Sequence, residues 1–217
     1  MNFDLQRKRL LSELETEGFS RPVLDAFEAI PREKFVPEHL AQSAYVDEAL
    51  SIGLGQTISQ PSTIARMLEL LLVFPGQKVL EVGSGCGYAS ALLSHMVGEH
   101  GKVFGIELLK ELAKQSKTNL KNAEIKNVEI VQGDGTKGLP QNGPFDRILV
   151  SAACPFIPKA LFDQLSEKGI AVAPVGDPGF QVLTVLQKVN GKPVKKEFSE
   201  GYFVFVPLLG SYSKKIL

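Results

Sequence analysis

The feature that most constrains this chain is the alternation of short apolar segments with amphipathic segments between residues 77 and 174. The apolar segments at 77–82, 102–107, 128–132, 145–150 and 170–174 have the length and the residue types of buried strands. Residues 88–96, 110–122 and 159–165 lie between them and predict helices. Strands that alternate with helices in this way predict an α/β fold, in which helices cover both faces of a parallel sheet.

The two ends of the chain depart from this alternation. Near the C-terminus, apolar segments at 181–189 and 197–206 flank Asn190-Gly191, a dipeptide typical of two-residue hairpins, so an antiparallel pair should close one edge of the sheet. Residues 3–17 and 20–30 predict two helices, and 61–72 predict a third that Pro61 opens. Between them, residues 47–60 are rich in glycine and small polar residues, which predicts an ordered loop without strands.

Composition excludes several classes of protein. Lys and Arg number 24, as do Asp and Glu, so no net charge attracts nucleic acid or an anionic membrane. No apolar run reaches the 18 residues of a transmembrane helix, and the N-terminus lacks the apolar core of a signal peptide. Cys86 and Cys154 are too few for a disulfide scaffold. We therefore expect a cytoplasmic protein without nucleic-acid or membrane partners, and we expect a monomer.

A glycine-rich segment, Glu81-Val82-Gly83-Ser84-Gly85-Cys86-Gly87, lies where the first strand of the alternation meets its helix. Glycines let a ligand approach the backbone, and nucleotide cofactors bind at this edge of Rossmann-like sheets. The dinucleotide fingerprint would require glycine or alanine where this chain has Tyr88. Glu81 is unfavourable beside a pyrophosphate but favourable beside the ammonium and sulfonium of S-adenosylmethionine. The segment therefore favours S-adenosylmethionine over NAD. We expect Gly83, Ser84 and Gly85 to contact this cofactor.

Two further acidic residues follow the next two predicted strands. Glu107 ends the second strand, about 20 residues past the glycines, where a carboxylate accepts hydrogen bonds from ribose hydroxyls. Asp134 follows the third strand in Gly133-Asp134-Gly135, where it can accept from the adenine amino group. Taken singly, Glu107 also fits a solvated acid at a strand end, and Asp134 a turn former. Together with the glycine-rich segment, the two acids predict a cofactor site.

The loop before the first of these strands carries a narrower signal. Ile52-Gly53-Leu54-Gly55-Gln56-Thr57-Ile58-Ser59-Gln60-Pro61 resembles the signature of protein-L-isoaspartate O-methyltransferases. The similarity continues in residues 30–36, 44–45, 80–88, 133–135, 144–148, 151–153 and 174–176. It therefore covers most of the chain, and its Thr-Ile-Ser-Gln-Pro string is specific, whereas the glycine-rich segment is common to many methyltransferases.

The resemblance implies a repair enzyme, a protein-L-isoaspartate (D-aspartate) O-methyltransferase. Such an enzyme transfers a methyl group from S-adenosyl-L-methionine to the free carboxylate of L-isoaspartyl residues in damaged proteins and peptides. The implied fold is a Rossmann-like methyltransferase sheet, mostly parallel with a C-terminal antiparallel hairpin. We expect a single domain, with residues 1–60 as a helical extension and a substrate and cofactor loop, and residues 61–217 as the core.

The resemblance also implies roles for single residues. Ser59 is the implied catalytic residue and contacts the substrate, and Val175 is implied on the substrate side. The implied cofactor contacts, besides those named above, are Gln56, Thr57, Ile58, Leu108 and Gly135. Ser62 and Leu209 depart from residues that are common in the family, so packing beside the cofactor should differ there.

The implied reaction needs no general base. An isoaspartyl carboxylate, with a pKa near ~4, is already ionised at pH 7. The enzyme has to align the carboxylate with the sulfonium and exclude water. Ser59 should donate a hydrogen bond to one carboxylate oxygen, although it is also placed to cap the helix that Pro61 opens. The histidines, His39, His95 and His100, lie outside the motif segments, and no cluster has metal-ligand spacing, so no metal is expected.

Two alternatives stay open. The chain is compatible with a methyltransferase for another carboxylate, a small molecule or RNA, and with a non-catalytic module that binds the cofactor. Ser151-Ala152-Ala153-Cys154-Pro155 lacks the Asn/Asp-Pro-Pro-aromatic motif that many amino-group methyltransferases carry. We interpret Cys154 as a buried structural cysteine, because no histidine lies near it in the sequence.

Overall fold

The alternating segments form one sheet, and helices precede and interleave its strands. The computed structural model describes residues 2–211, apart from the side chains of residues 199 and 200. Its α-helices are α1 Phe3–Thr16, α2 Arg21–Ala29, α3 Pro61–Leu71, α4 Tyr88–Val97, α5 Lys110–Asn122 and α6 Lys159–Asp163. Its strands are β1 Leu50–Gly53, β2 Gln56–Ile58, β3 Lys78–Val82, β4 Lys102–Glu107, β5 Val128–Gln132, β6 Phe145–Val150, β7 Leu165–Asp177, β8 Phe180–Val189 and β9 Lys192–Phe203.

The order of the strands places a crevice at the middle of the sheet. Seven of the strands in the described part of the chain pair in the order β5-β4-β3-β6-β7-β8-β9. The pairs from β5 to β7 are parallel, and those from β7 to β9 are antiparallel. Because β3 has β4 on one side and β6 on the other, the direction in which the sheet grows reverses at β3. Ligands of open α/β sheets bind outside the carboxyl ends of the strands at such a point.

Successive side chains of β3 point to opposite faces of the sheet, and each face packs into its own core. Val79 packs into the larger core with residues of the N-terminal helices and of α3, α4 and α5. Leu80 and Val82 pack into the smaller core, which Leu161 of α6 also joins. Glu81 has the same parity as Val79, so it lies on the side of the larger core. Both apolar faces of the sheet are therefore covered, as the alternation predicts.

The C-terminal hairpin is confirmed, including its turn. Val189 pairs with Lys192, so Asn190 and Gly191 alone connect β8 and β9. Both connecting residues have positive φ, 52° for Asn190 and 71° for Gly191, as a type I′ turn requires. Strand β9 begins at Lys192 and ends at Phe203, several residues earlier than the predicted segment at both ends.

The prediction of a loop without strands at 47–60 is wrong. Strands β1 and β2 pair antiparallel, with Leu50 opposite Ile58 and Ser51 opposite Thr57. Leu54 and Gly55 both have positive φ and form the tight turn. Ile52 and Ile58 are buried in the larger core. The segment that carries Ser59 is therefore a short hairpin fixed against the core.

Among residues 2–211, no helix is both long enough and apolar enough to cross a bilayer. In the same range, no group of three or more His, Cys, Asp or Glu side chains is placed to hold a metal ion.

Candidate active site

A cleft along the carboxyl ends of β3, β4 and β6 is divided into three chambers that share wall residues. The glycine chamber is lined by Ile52, Gln56, Thr57, Gly83, Gly85, Ile106, Glu107, Leu108, Leu109, Gly135, Ser151, Ala152, Val206, Pro207, Leu208 and Leu209. The central chamber is lined by Thr57, Ile58, Ser59, Ile64, Met67, Glu81, Gly83, Ser84, Gly85, Cys86, Tyr88, Ala89, Leu149, Ser151 and Phe205. The serine chamber is lined by Ala49, Thr57, Ser59, Gln60, Thr63, Tyr202, Phe203, Val204, Phe205 and Val206. Thr57 borders all three, so the chambers are neighbours.

Glu107 joins the glycine-rich segment to the end of β4. Its Oε2 accepts a hydrogen bond from Gly85 N at 2.9 Å, and its Oε1 accepts one from Leu109 N at 2.9 Å. The side chain is buried, yet it lines the glycine chamber. Gly83, with φ +80°, turns the chain so that its N–H donates to Ile106 O at 2.8 Å. Each Glu107 oxygen has a second lone pair, so the carboxylate can still accept from a ligand hydroxyl.

Glu81 is a buried carboxylate on the wall of the central chamber. It accepts hydrogen bonds from the hydroxyls of Ser90 and of Ser151, the latter at 2.8 Å. Burial raises the pKa of Glu81 to about 7, although both hydrogen bonds act in the opposite direction. A cation in the central chamber would favour the ionised form.

The donors and acceptors of these chambers fit S-adenosylmethionine. Ser84 Oγ is buried on the wall of the central chamber and finds no hydrogen-bond partner among the described residues. Buried hydroxyls normally have partners, which makes Ser84 a candidate contact for a polar ligand group. The glycine chamber combines the Glu107 carboxylate with apolar side chains at Ile106, Leu108 and Leu208, as a nucleoside requires. No phosphate-binding cation lines either chamber among the described residues.

Asp134 occupies a different position from the other predicted cofactor residues. Its Oδ1 accepts hydrogen bonds from Thr136 N at 3.0 Å and Thr136 Oγ1 at 2.6 Å. Its Oδ2 accepts from Ser211 N at 2.9 Å and Ser211 Oγ at 2.7 Å. Burial raises the pKa of Asp134, but these hydrogen bonds outweigh it and hold the pKa at about 2. Asp134 is not among the residues that line the chambers, whereas the adjacent Gly135 lines the glycine chamber.

A C-terminal wall, residues 205–209, belongs to the site, and only Leu209 of it was predicted to lie beside the cofactor. Ala153 N donates to Val206 O at 2.8 Å, and Leu208 N donates to Ala153 O at 2.8 Å, so the segment lies along the residues that follow β6. Phe205 N donates to Oε1 of the buried Gln181 at 2.9 Å. Ser151 is a second omission, since it lines two chambers and binds Glu81. The hydrogen bonds of the wall and the hydrogen bond between Ser151 and Glu81 join residues far apart in the chain, so no local sequence pattern reveals them.

Ser59 lies half-buried at the boundary of the central and serine chambers. Its hydroxyl makes no hydrogen bond within the described part of the chain, so its proton is available to a ligand. The alternative that Ser59 caps α3 is not supported, because the N-cap is Gln60. Asp47 satisfies the helix end instead: it accepts from Ser62 N and from Ser62 Oγ, both at 2.7 Å. The departure at Ser62 therefore belongs to this cap, whereas Leu209 lines the glycine chamber.

The other predicted residues fall into two groups. Gln56, Thr57, Ile58 and Leu108 line the glycine or central chamber. Val175, predicted on the substrate side, is half-buried on β7, pairs with Val182 and lines none of the three chambers. Its contact with a substrate stays a prediction.

Both cysteines are free and buried. Burial raises the pKa of Cys86 to about 11 and that of Cys154 to about 12, so both thiols are neutral at pH 7. The interpretation of Cys154 as a buried cysteine is confirmed.

Comparisons with known proteins agree on one family. The model of the family described as protein-L-isoaspartate(D-aspartate) O-methyltransferase (PCMT) matches residues 5–213. Protein-L-isoaspartate O-methyltransferase 2 of Archaeoglobus fulgidus is 46% identical over 216 residues, which cover 99% of this chain and 98% of the relative. The protein-L-isoaspartate O-methyltransferase of Methanococcus maripaludis (strain C5) is 46% identical over 203 residues, which cover 93% of this chain and 94% of the relative.

Solved structures give the same result. A structure of a protein-L-isoaspartate O-methyltransferase superposes with a TM-score of 0.87 at 31% identity, covering 95% of this chain and 67% of the other. A Plasmodium falciparum chain named as a member of the same family was solved in complex with S-adenosyl-L-homocysteine. It superposes with a TM-score of 0.81 at 28% identity, covering 94% of this chain and 98% of the other.

Proposed function

This chain belongs to the protein-L-isoaspartate O-methyltransferase family, and from that premise we propose how its residues carry out the reaction. It is a repair enzyme that methylates isoaspartyl residues with S-adenosyl-L-methionine. The observation that carries the proposed mechanism is the free hydroxyl of Ser59 at the boundary between the central and serine chambers.

The glycine and central chambers are proposed to hold the cofactor. Glu107 accepts from the ribose hydroxyls, and Leu108 and Leu208 pack against the adenine. Glu81 and Ser84 face the methionine portion, where the Glu81 carboxylate offsets positive charge. S-adenosylmethionine, when bound, supplies a methyl group activated by its sulfonium.

The contacts of Asp134 support a structural role, whereas its predicted hydrogen bond to adenine stays a prediction. Its four hydrogen bonds come from Thr136 and Ser211, so it holds the chain just beyond the C-terminal wall beside Gly135. We propose that Asp134 shapes the glycine chamber through this wall.

The serine chamber is proposed to admit the isoaspartyl side chain from an extended segment of substrate. Its rim is apolar and exposed: Tyr202 is 67% exposed and Val204 is 78% exposed. The Tyr202 ring stacks on the exposed Phe180 ring, with centroids 3.9 Å apart. Exposed apolar groups around a cleft are typical of sites that bind another polypeptide.

Within the chamber, Ser59 is proposed to donate a hydrogen bond to one oxygen of the substrate carboxylate. The second oxygen is then directed toward the central chamber, where the methyl group is delivered. The carboxylate enters ionised, so no residue has to remove a proton. The chain contributes orientation and the exclusion of water, which are the effects that intramolecular reactions exploit.

The affinity for S-adenosylmethionine should fall as the pH is lowered below 7. Glu81, with a pKa of about 7, is ionised above that pH and neutral below it, so its attraction for the cofactor's positive charge is lost on acidification. If only the ionised form binds well, affinity falls roughly tenfold per pH unit below about 7. Calorimetric titration between pH 5.5 and 7 measures this slope.

Two variants decide whether Glu81 causes the slope. Glu81→Gln should bind the cofactor more weakly at pH 7 and remove the slope. Glu129→Gln, at an exposed position on β5, should keep it. A slope that persists in Glu81→Gln would assign the titration to another group.

The substrate class is tested with two peptides of one sequence that differ only in an isoaspartyl or an aspartyl linkage. We expect methylation of the isoaspartyl peptide and none above background of its twin, because only the isoaspartyl linkage presents the α-carboxylate that enters the serine chamber. Equal methylation of the two peptides would contradict the proposed selectivity. Methylation of neither would favour another carboxylate, a small molecule or RNA as the substrate.

We also propose a single domain and a monomer in the cytoplasm. The shared core of the N-terminal helices and the sheet supports the first, and the free, buried cysteines agree with a reducing compartment.

A further inference from the structure

Arg32 is a charged side chain without any solvent-accessible surface. It lies in the 3₁₀ turn Arg32–Lys34 that follows α2. Burial lowers its pKa, and among the described residues no carboxylate lies close enough to form a salt bridge with it. A buried cation is costly unless it is paired and hydrogen-bonded, and an apolar side chain of similar volume usually stabilises a core at least as well. Core packing alone therefore does not account for an arginine at this position.

The contacts of Arg32 converge on the segment that carries Ser59. Its Nη2 donates to Ser59 O at 3.0 Å and lies 3.4 Å from Glu48 O. Glu48 precedes β1 and Ser59 follows β2, so one guanidinium nitrogen joins the two ends of the β1–β2 hairpin. The guanidinium carbon lies 5.1 Å from the centroid of the Tyr88 ring. Tyr88 begins α4 directly after the glycine-rich segment and lines the central chamber.

The hydrogen bond to Ser59 is the best that this guanidinium makes. Its Nε and Nη1 find no hydrogen-bond partner among the described residues. The bond to Glu48 O, at 3.4 Å, is long for an N–H···O contact. A side chain that served the fold in general would satisfy more of its donors. This one directs its best donor at the backbone of the residue whose hydroxyl faces the substrate.

We propose that Arg32 is a positioning residue for methyl transfer, which holds the backbone of Ser59 so that the hydroxyl points at the substrate carboxylate. The inference rests on the proposed role of Ser59. With the Ser59 carbonyl held, only the rotation of the side chain about χ1 remains to place the hydroxyl. The planar guanidinium, held over the Tyr88 ring, fixes the direction of the N–H groups of Nη2, whereas the freely rotating ammonium of lysine does not reproduce that geometry.

The test uses Arg32→Lys, with Arg147→Lys as a matched control. Arg147 is also buried, donates from Nε to Leu72 O at 2.8 Å and lies over the Phe74 ring, but it belongs to none of the chambers. For Arg32→Lys we expect kcat on an isoaspartyl peptide to fall about 10- to 10²-fold, because small errors in alignment have effects of this size. Its affinity for S-adenosylmethionine should stay within a few-fold. Arg147→Lys should lower the melting temperature by about as much as Arg32→Lys does, but it should leave kcat unchanged.

A double variant separates this inference from the proposed role of Ser59. In a Ser59→Ala background, Arg32→Lys should reduce kcat no further, because the hydroxyl that it positions is absent. If Ser59→Ala alone leaves kcat unchanged, the proposed role of Ser59 fails. If Ser59→Ala slows the reaction but Arg32→Lys does not, only the inference about Arg32 fails. Arg32→Gln, which keeps an N–H donor without the charge, replaces Arg32→Lys if the latter does not fold. Failure of both to fold would assign Arg32 to the fold as a whole and overturn the proposal.

Discussion

Ser59→Ala should lower the turnover of an isoaspartyl peptide by about 10²–10³-fold, the usual loss when one positioning donor is removed from an active site. The Ser59 hydroxyl borders the central and serine chambers and makes no hydrogen bond to any group that the structure describes. Its removal therefore takes nothing from the folded enzyme except the contact with the substrate carboxylate. We expect the free energy of unfolding to change by less than about 0.5 kcal/mol, as for substitutions that remove no structural contact. Cofactor affinity should stay within a few-fold.

Ser62→Ala is the matched control for this experiment. The Ser62 hydroxyl donates to Asp47 Oδ2 at 2.7 Å and belongs to the cap of α3. Its loss should reduce the free energy of unfolding by about 1 kcal/mol and leave turnover unchanged. Melting temperature and turnover, measured on both variants, separate the two roles. A Ser59→Ala enzyme that is destabilised yet fully active would remove Ser59 from the mechanism.

Glu107→Ala should weaken the binding of S-adenosylmethionine by about 1.5–3 kcal/mol for each ribose hydrogen bond, or at least about tenfold. The substitution also leaves Gly85 N and Leu109 N without their acceptor, so part of the loss reflects a looser glycine-rich segment. Calorimetric titration measures the total. Glu111→Ala, at an exposed position in the first turn of α5, is the control and should not change the affinity.

A cofactor analogue isolates the contact with the ribose. Removing the ribose hydroxyls from S-adenosylhomocysteine should weaken its binding to the native enzyme but have little further effect on Glu107→Ala. Full additivity of the two losses would show that Glu107 acts only on the loop.

The parallel part of the fold could be predicted because its signals are local. Each strand from β3 to β6 is a short apolar run next to a helical pattern. Both patterns depend only on residues close together in the sequence. The turn at Asn190-Gly191 was equally visible, because few residue pairs accept positive φ at both positions. The glycine-rich segment and Glu107 follow from the same logic, since each ends a strand at the edge where ligands bind.

The β1–β2 hairpin and the C-terminal wall could not be predicted in this way. The strands of the hairpin are only four and three residues long, so the alternation of apolar and small residues along Leu50–Gly53 is too short to distinguish a strand from a glycine-rich loop. The wall at 205–209 depends on hydrogen bonds to Ala153 and Gln181, which lie far from it in the sequence. Glu81 was predicted from its charge, but its hydrogen bonds to Ser90 and Ser151 required the folded chain.

The C-terminal wall is a surface that the two proposed ligands share. Phe205 borders the central and serine chambers, and Val206 borders the glycine and serine chambers. A ligand that shifts this backbone from the cofactor side thus alters the surface that the peptide meets. Linkage then requires that the peptide change cofactor affinity by the same factor as the cofactor changes peptide affinity. A heterotropic coupling free energy carried by this segment would then also link release of the methylated peptide to release of the demethylated cofactor.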